Sequence, residues 1–238
     1  MCGRFSQVSG LDQLQARFDF TAARLSYVPR YNLAPGQEAL AVISGEDGRR
    51  GVMLRWGLVP HWASEEGTGL KLINARVEGL EDKPSFRRPL RRSRCLVPAD
   101  GFFEWTPGPG VKQPFFLARR DRRPFALAGL WETWPRPTGG EFKTFTIITV
   151  LANDLVKAIH ERMPAILAPE HEGPWLDPAQ SDPAALHELL RPCPDDWLEA
   201  FPVSPRVNSP AQEGPQLIEP QEGPGDLFAG PGQKGDAP

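Results

Sequence analysis

Once the initiator methionine of Met1-Cys2-Gly3-Arg4-Phe5 is removed, Cys2 becomes the amino-terminal residue. Such a residue carries two nucleophiles on adjacent carbons, an α-amine titrating near ~7.7–8.0 and a thiol near ~8.5, so both keep a reactive fraction at neutral pH. Aldehydes are the substrates that use both. The amine condenses to an imine, and the thiol closes on the imine carbon to give a five-membered thiazolidine, which hydrolyses far less readily than an open imine. Other polar residues in apolar or aromatic surroundings could manage the protons. Glu104 lies between Phe103 and Trp105, where desolvation would raise its pKa toward the range useful for proton transfer; strand alternation would equally put it opposite those rings, in solvent. His160 is the side chain that titrates nearest neutrality, or else a helix-terminal residue compensating the dipole. Asn74 could orient a substrate or the Cys2 amine without taking up charge, or cap a turn. Thr149, the polar position of Ile147-Ile148-Thr149-Val150, could hold a phosphate or the histidine, or be an ordinary strand threonine.

The elements that must position these residues read mostly as strands. Leu11, Leu14 and Phe18 recur at helical spacing after Ser9-Gly10, predicting a helix over Leu11 to Phe18. Short apolar or alternating runs then follow at Leu40 to Ser44, Gly51 to Trp56, Arg94 to Pro98, Gly101 to Trp105, Pro114 to Ala118, Phe125 to Trp131 and Lys143 to Leu151. Their spacing predicts an antiparallel core that bends or closes on itself. Asn153-Asp154 reads as the cap of a short helix through His160, Met163 to Ala168 as one further strand, and Pro183 to Leu190 and Pro194 to Phe201 as two late helices. The fold class is therefore α+β, a β-rich barrel-like core of antiparallel strands with peripheral helices over residues 1–208. From Ser209 onward, six prolines and six glycines in thirty residues cannot supply a packed core, so residues 209–238 read as a disordered acidic tail.

Composition narrows the function classes. Hydrophobic residues at 40% and charged residues at 24% of 238 suit a globular domain, and no apolar run reaches the ~18 residues of a membrane span. With no apolar stretch after Arg4 to act as a leader, the expected location is the cytoplasm, on the nucleoid. Three cysteines without Cys-x-x-Cys spacing argue against a disulfide framework or a zinc site, and no glycine-rich nucleotide fingerprint is present, so neither a metal nor a cofactor is expected. The net charge of −3 conceals an uneven distribution: Lys71 to Arg94 holds eight basic against three acidic residues, while Asp195 to the end holds eight acidic against two basic. A local excess of this kind is enough for a phosphate-tracking surface.

Five separated segments carry a family resemblance: Cys2-Gly3-Arg4, Arg55-Trp56-Gly57-Leu58-Val59-Pro60, Asn74-Ala75-Arg76-Val77-Glu78, Gly101-Phe102-Phe103-Glu104-Trp105 and His160-Glu161-Arg162-Met163-Pro164. In order and spacing the chain resembles the SRAP family of abasic-site processing proteins from Cys2 to about Asn208. The resemblance implies a monomeric covalent sensor of abasic sites in single-stranded DNA that shields the lesion in the DNA damage response. Cys2 would be the nucleophile, and Asn74, Glu104 and His160 match the family's other active-site positions. It further implies DNA contacts by Arg4, Arg76 and Arg162, and an aromatic wedge at His61-Trp62, where a relative with two tryptophans would have a stronger one. Thr149 is grouped with the DNA-facing residues. Arg87, Arg88, Arg91, Arg92 and Arg94 could extend the phosphate path.

Two other classes stay open. Cys2 could be an acyl-transfer nucleophile with His160 as base, a peptidase or autoprotease; alternatively, the basic stretch and tryptophans could read DNA without any covalent step. An imine intermediate would also permit strand cleavage of the lyase type. In the tail, Asp226-Leu227-Phe228 loosely resembles peptides that dock on bacterial sliding clamps, which would make a clamp a partner at replication forks.

Overall fold

Two β-structures share one core, and the amino terminus is threaded between them. The computed structural model describes residues 2–221 apart from 24, 107–111 and 137–138. In chain order its elements are β1 (Phe5–Gln7), α1 (Leu11–Phe18), β2 (Arg30–Leu33), β3 (Glu38–Gly45), β4 (Gly48–Trp56), β5 (Asn74–Arg76), α2 (Pro84–Arg92), β6 (Arg94–Ala99), β7 (Gly101–Trp105), β8 (Pro114–Arg119), β9 (Phe125–Pro135), β10 (Glu141–Leu151), α3 (Asp154–Lys157), β11 (Arg162–Pro164), β12 (Ile166–Leu167), α4 (Pro169–Leu176), α5 (Pro183–Glu188) and β13 (Leu198–Pro202). The barrel runs β10–β4–β3–β6–β9 and returns to β10. Its two long hairpins pair β3 with β4 from Glu38↔Arg55 to Gly45↔Gly48 and β9 with β10 from Pro135↔Glu141 to Gly129↔Ile147. Closure is by a parallel pair, Thr144↔Arg55 and Phe145↔Trp56, so the expected antiparallel core holds except along one side of β10. β5 also joins that strand in parallel register.

The second sheet, β13–β8–β7–β1–β2, is antiparallel throughout. Gln7 locks it to the barrel. Its buried side chain donates to the carbonyls of Leu40 (3.0 Å) and Pro98 (2.7 Å) and accepts from the Leu40 amide (3.0 Å), so one amide side chain bridges β1, β3 and β6. Alternation on β7 divides its aromatics: Phe102 enters the large shared core, while Phe103 joins Phe116, Val207 and Leu217 on the opposite face. Gly101 makes this approach possible, because a Cβ there would lie 2.1 Å from Phe116 Cζ and 2.8 Å from the Leu117 carbonyl oxygen. Gly101→Ala is expected to cost ~1–3 kcal/mol, the range for overpacking a closed core. A urea midpoint equal to that of the native chain would contradict this packing.

Several expectations need correction. Pro194 to Phe201 is a single 3-10 turn at Asp195–Trp197 followed by β13, because pairing with β8 from Leu198↔Arg119 to Pro202↔Phe115 outweighs the helical pattern. The strand expected at Met163 to Ala168 divides into β11, which pairs with β10, and β12, which pairs with β9. Ala165 bridges them, donating to Ile148 O (2.9 Å) and accepting from the Ala128 amide (2.8 Å). Residues 209–221, expected to lack packed structure, lie against the body: Leu217 is buried, Glu213 pairs with Arg30, and the Gln221 amide donates to Pro202 O. Asp226-Leu227-Phe228 lies outside the described residues. Among the described residues, no helix is long and apolar enough to cross a membrane.

Candidate active site

Residues 2–4 continue the path of β1 alongside β7. Phe5 pairs with Phe102, and the Phe103 amide donates to Arg4 O at 2.9 Å, so Glu104 comes next on β7 toward the amino terminus. On the other side, Asn74 is carried by β5 opposite Ile147 of β10, and its Nδ2 donates to the Cys2 carbonyl at 2.8 Å. Asn74 thus holds the backbone of Cys2, and β7 holds that of Arg4 two residues on. Its side chain is buried, with Sγ 3.9 Å from Arg4 O. Burial pushes the thiol pKa up, the charge of Glu104 pushes it further, and the positive amino terminus pulls it down.

Glu104 is 3% exposed. Burial raises its pKa to about 7, with the amino-terminal charge opposing. The desolvation expected from sequence is present, but it does not come from Phe103 and Trp105, which face the other way. Glu104 shares the face of Phe102 and is enclosed by the large core. His160 follows α3, its amide donating to Val156 O at 2.8 Å, and its Nδ1 accepts from the Arg162 amide at 2.9 Å. Nδ1 also lies 3.1 Å from the Arg162 carbonyl oxygen, so Arg162 backbone meets this nitrogen in either neutral tautomer. Burial, then the amino-terminal charge, lowers its pKa, so the ring is neutral at pH 7. Cys2, Glu104 and His160 are each shifted by the positive charge of the chain's amino group, here that of Met1. Among the described residues, Asn74 Oδ1 and Thr149 Oγ1 are buried without a hydrogen-bond partner. Each is an acceptor that an amine or a hydroxyl could satisfy.

The arginines expected at phosphates divide. Arg4 Nη1 donates to Asn32 Oδ1 and Val207 O, both at 2.7 Å, and burial lowers its pKa. Buried Asn32 in turn donates to Val207 O, Ser209 O and Gln212 O, so a strap from the carboxyl-terminal part of the chain clamps the residue two places beyond Cys2. Arg162 grips Glu78 with both Nη atoms (2.8 and 3.1 Å) and donates to Thr149 O at 2.6 Å. Its bond to Glu78, more than its charge, lowers that carboxyl's pKa. Arg94 donates to the carbonyls of Leu90, Trp175, Asp177 and Gln180 and is buried. Only Arg76 of the motif arginines is exposed. His61 is exposed, its Nδ1 3.4 Å from Glu132 Oε2, and Trp62 beside it is 57% exposed. Sequence reasoning passes over Asn32 and Glu78. Asn32 has a signal, a polar residue between Tyr31 and Leu33, and Glu78 ends a segment already singled out.

A family model described as SOS response associated peptidase (SRAP) matches residues 1–210. The Bacillus subtilis (strain 168) abasic site processing protein YoqW is 46% identical over 222 residues, covering 92% of this chain and 99% of that one. YedK of Escherichia coli (strain K12), likewise named an abasic site processing protein, is 32% identical and covers 92% and 100%. Among solved structures, a Bacteroides thetaiotaomicron protein superposes with a TM-score of 0.83 at 29% identity, over 93% of this chain and 100% of that one.

Proposed function

The chain belongs to the SRAP family, and from that membership we propose that it processes abasic sites in DNA by covalent capture of the lesion aldehyde on Cys2. The observation that carries this reading is the fixation of Cys2 beside a buried carboxyl: Asn74 holds its carbonyl, β7 holds Arg4 two residues on, and the charge of Glu104 acts on its thiol.

Removal of Met1 creates the reactive amine. The abasic deoxyribose is mostly a closed hemiacetal, so a proton must leave the C1′ hydroxyl and another reach O4′ before C1′ becomes an aldehyde. Glu104, with a pKa of about 7, takes and returns protons at this pH, and the His160 ring, in its Nε2–H tautomer, offers a proton to the sugar oxygen. The Cys2 amine adds to C1′, the carbinolamine loses its oxygen as water, and an imine remains. Sγ then bonds to C1′ while its proton passes to nitrogen. Aldehyde and aminothiol become thiazolidine and one water. The elevated thiol pKa sets the order: sulfur stays protonated until Glu104 removes its proton, so the amine attacks first. The same elevation weighs against an acyl-transfer thiolate and hence against a peptidase acting in trans. Single-stranded DNA suits the reading, since an extruded sugar reaches a recessed nucleophile more easily than one held in a duplex.

The test is a denaturing gel of the purified chain with single-stranded DNA containing one abasic site. A shifted band is expected for the processed protein and none for a form that retains Met1. Equal bands from both would sink the proposal.

A further inference from the structure

Glu78 has no part in the capture steps, yet it is the carboxylate that buried Arg162 holds. At this level β10 lies between β5 and β11: Thr149 pairs with Arg76 on one side and with Pro164 on the other, and Leu151 pairs with Arg162. Glu78 leaves the end of β5 in the 3-10 turn Val77–Gly79, while Arg162 opens β11. Their two hydrogen bonds, 2.8 and 3.1 Å, therefore cross the end of β10, and Arg162 Nη2 also donates to Thr149 O of that strand at 2.6 Å. The clasp is asymmetric. The Arg162 side chain is 11% exposed and that of Glu78 54%, so a carboxylate reaches in from the rim to a charge with little access to water. Among the described residues, no other carboxylate pairs with this guanidinium. β11 is three residues long at the edge of its sheet, which leaves its first residue few other restraints. That residue carries the histidine. His160 Nδ1 meets the Arg162 amide at 2.9 Å and the Arg162 carbonyl oxygen at 3.1 Å. The segment Asn74–Glu78 thus reaches both sides of the site, since Asn74 holds the Cys2 carbonyl and Glu78 holds the residue whose backbone orients His160.

We infer that Glu78 is a positioning residue for the capture reaction: by fixing Arg162 it fixes the His160 ring against the sugar held at Cys2. The inference rests on the reading of Cys2 and His160 as the groups that act on the lesion. Both bonds from Arg162 are charge-assisted and together set the plane of the guanidinium, which a single bond would leave free to turn. Without the carboxylate, a poorly hydrated charge loses its partner and is driven toward water, drawing the start of β11 with it. His160 serves the opening of the closed sugar, so the loss falls on that step. Attack of the amine on an aldehyde that has no ring to open does not need it.

The experiment compares the full chain, freed of Met1, with its Glu78→Ala and Glu78→Gln variants. At saturating abasic single-stranded DNA, crosslinking should be about tenfold slower in the alanine variant, as expected when a reacting group is misplaced by less than ~1 Å. Glutamine keeps one bond to the guanidinium and should recover about a third or more of the native rate. Propanal, which has no ring to open, should be converted to its thiazolidine at the native rate by both variants. In a His160→Ala background, adding Glu78→Ala should cost nothing further, because the two act through one group. The fourth reading needs no reaction: the nitrogen-15 resonance of His160 Nδ1, assigned by its loss in His160→Gln, should move in Glu78→Ala as its contact with the Arg162 backbone loosens. A native crosslinking rate in Glu78→Ala would overturn the inference, as would an equal slowing toward propanal, additive losses in the double variant or an unmoved Nδ1 resonance. A native protein that never crosslinks removes the capture reading instead, and an Nδ1 resonance that still moves leaves the brace of Glu78 on His160 standing.

Discussion

With Cys2→Ala, no adduct with abasic single-stranded DNA survives denaturation, whereas Cys2→Ser gives one that forms and then hydrolyses. Both variants retain an α-amine after methionine removal, so both can make an imine. Only sulfur closes a ring that resists water. The distinction is chemical and not structural, because Cys2 is held through its carbonyl by Asn74, a hydrogen bond to backbone that neither substitution removes. Among the described residues Sγ makes one long hydrogen-bond contact, to Arg4 O, and replacing it should leave the fold intact. Borohydride reduction during the reaction should trap the alanine and serine imines as stable amines and thereby show that the first step still occurs. A native-like yield of stable crosslink from Cys2→Ala without reductant would mean that the ring is not the product and that the aminothiol argument is wrong.

Glu104→Gln should slow crosslinking by ~10²–10⁴-fold, the usual contribution of a positioned acid–base group, while making the protein more stable above neutrality. The opposite signs follow from burial. The carboxyl titrates near 4.5 when unfolded and at about 7 in the folded chain. Between those values the folded protein holds a proton that the unfolded chain has released, so stability falls as pH rises through the window and stays at the lower level above it. Glutamine is neutral throughout and avoids this decline, a difference on the order of 3 kcal/mol at most for this shift. Chemical unfolding at pH 5 and pH 8 should show the two proteins converging at the lower pH and the variant more stable at the higher. The rate profile of the native protein should bend near pH 7, and that bend should be missing from the variant. If the bend persists in Glu104→Gln, another group carries the proton.

Much of this molecule is legible where a local pattern decides the outcome. Leu11–Phe18 is helical over the span its apolar spacing predicts, and Gly101–Trp105 is a strand between the same two residues. Elements escape the sequence where prolines mislead: α2 contains Pro89 and α4 contains Pro174, each a helix breaker by type yet tolerated because packing of Phe86 and Leu90, or of Trp175 and Leu176, holds the turn. The site is harder to read because its meaning depends on depth and on distant partners. Alternation tells which neighbours share a face with Glu104 but not whether that face is covered, which depends on a core assembled from β-strands far apart in sequence. Arg162 resembles a phosphate ligand in sequence because Glu78, its partner, lies 84 residues away in the chain.

The clamp on Arg4 joins residues 203 positions apart, and that separation is also an interval of time. At the ~5–20 residues per second of chain synthesis, Val207 is made roughly 10–40 s after Arg4. Until then Asn32 has no strap to hold, and the first residues of the nascent chain remain open to the removal of Met1 that the proposed capture requires. Synthesis from the amino end therefore gives the first residues an open interval before a late part of their own chain arrives to clamp Arg4.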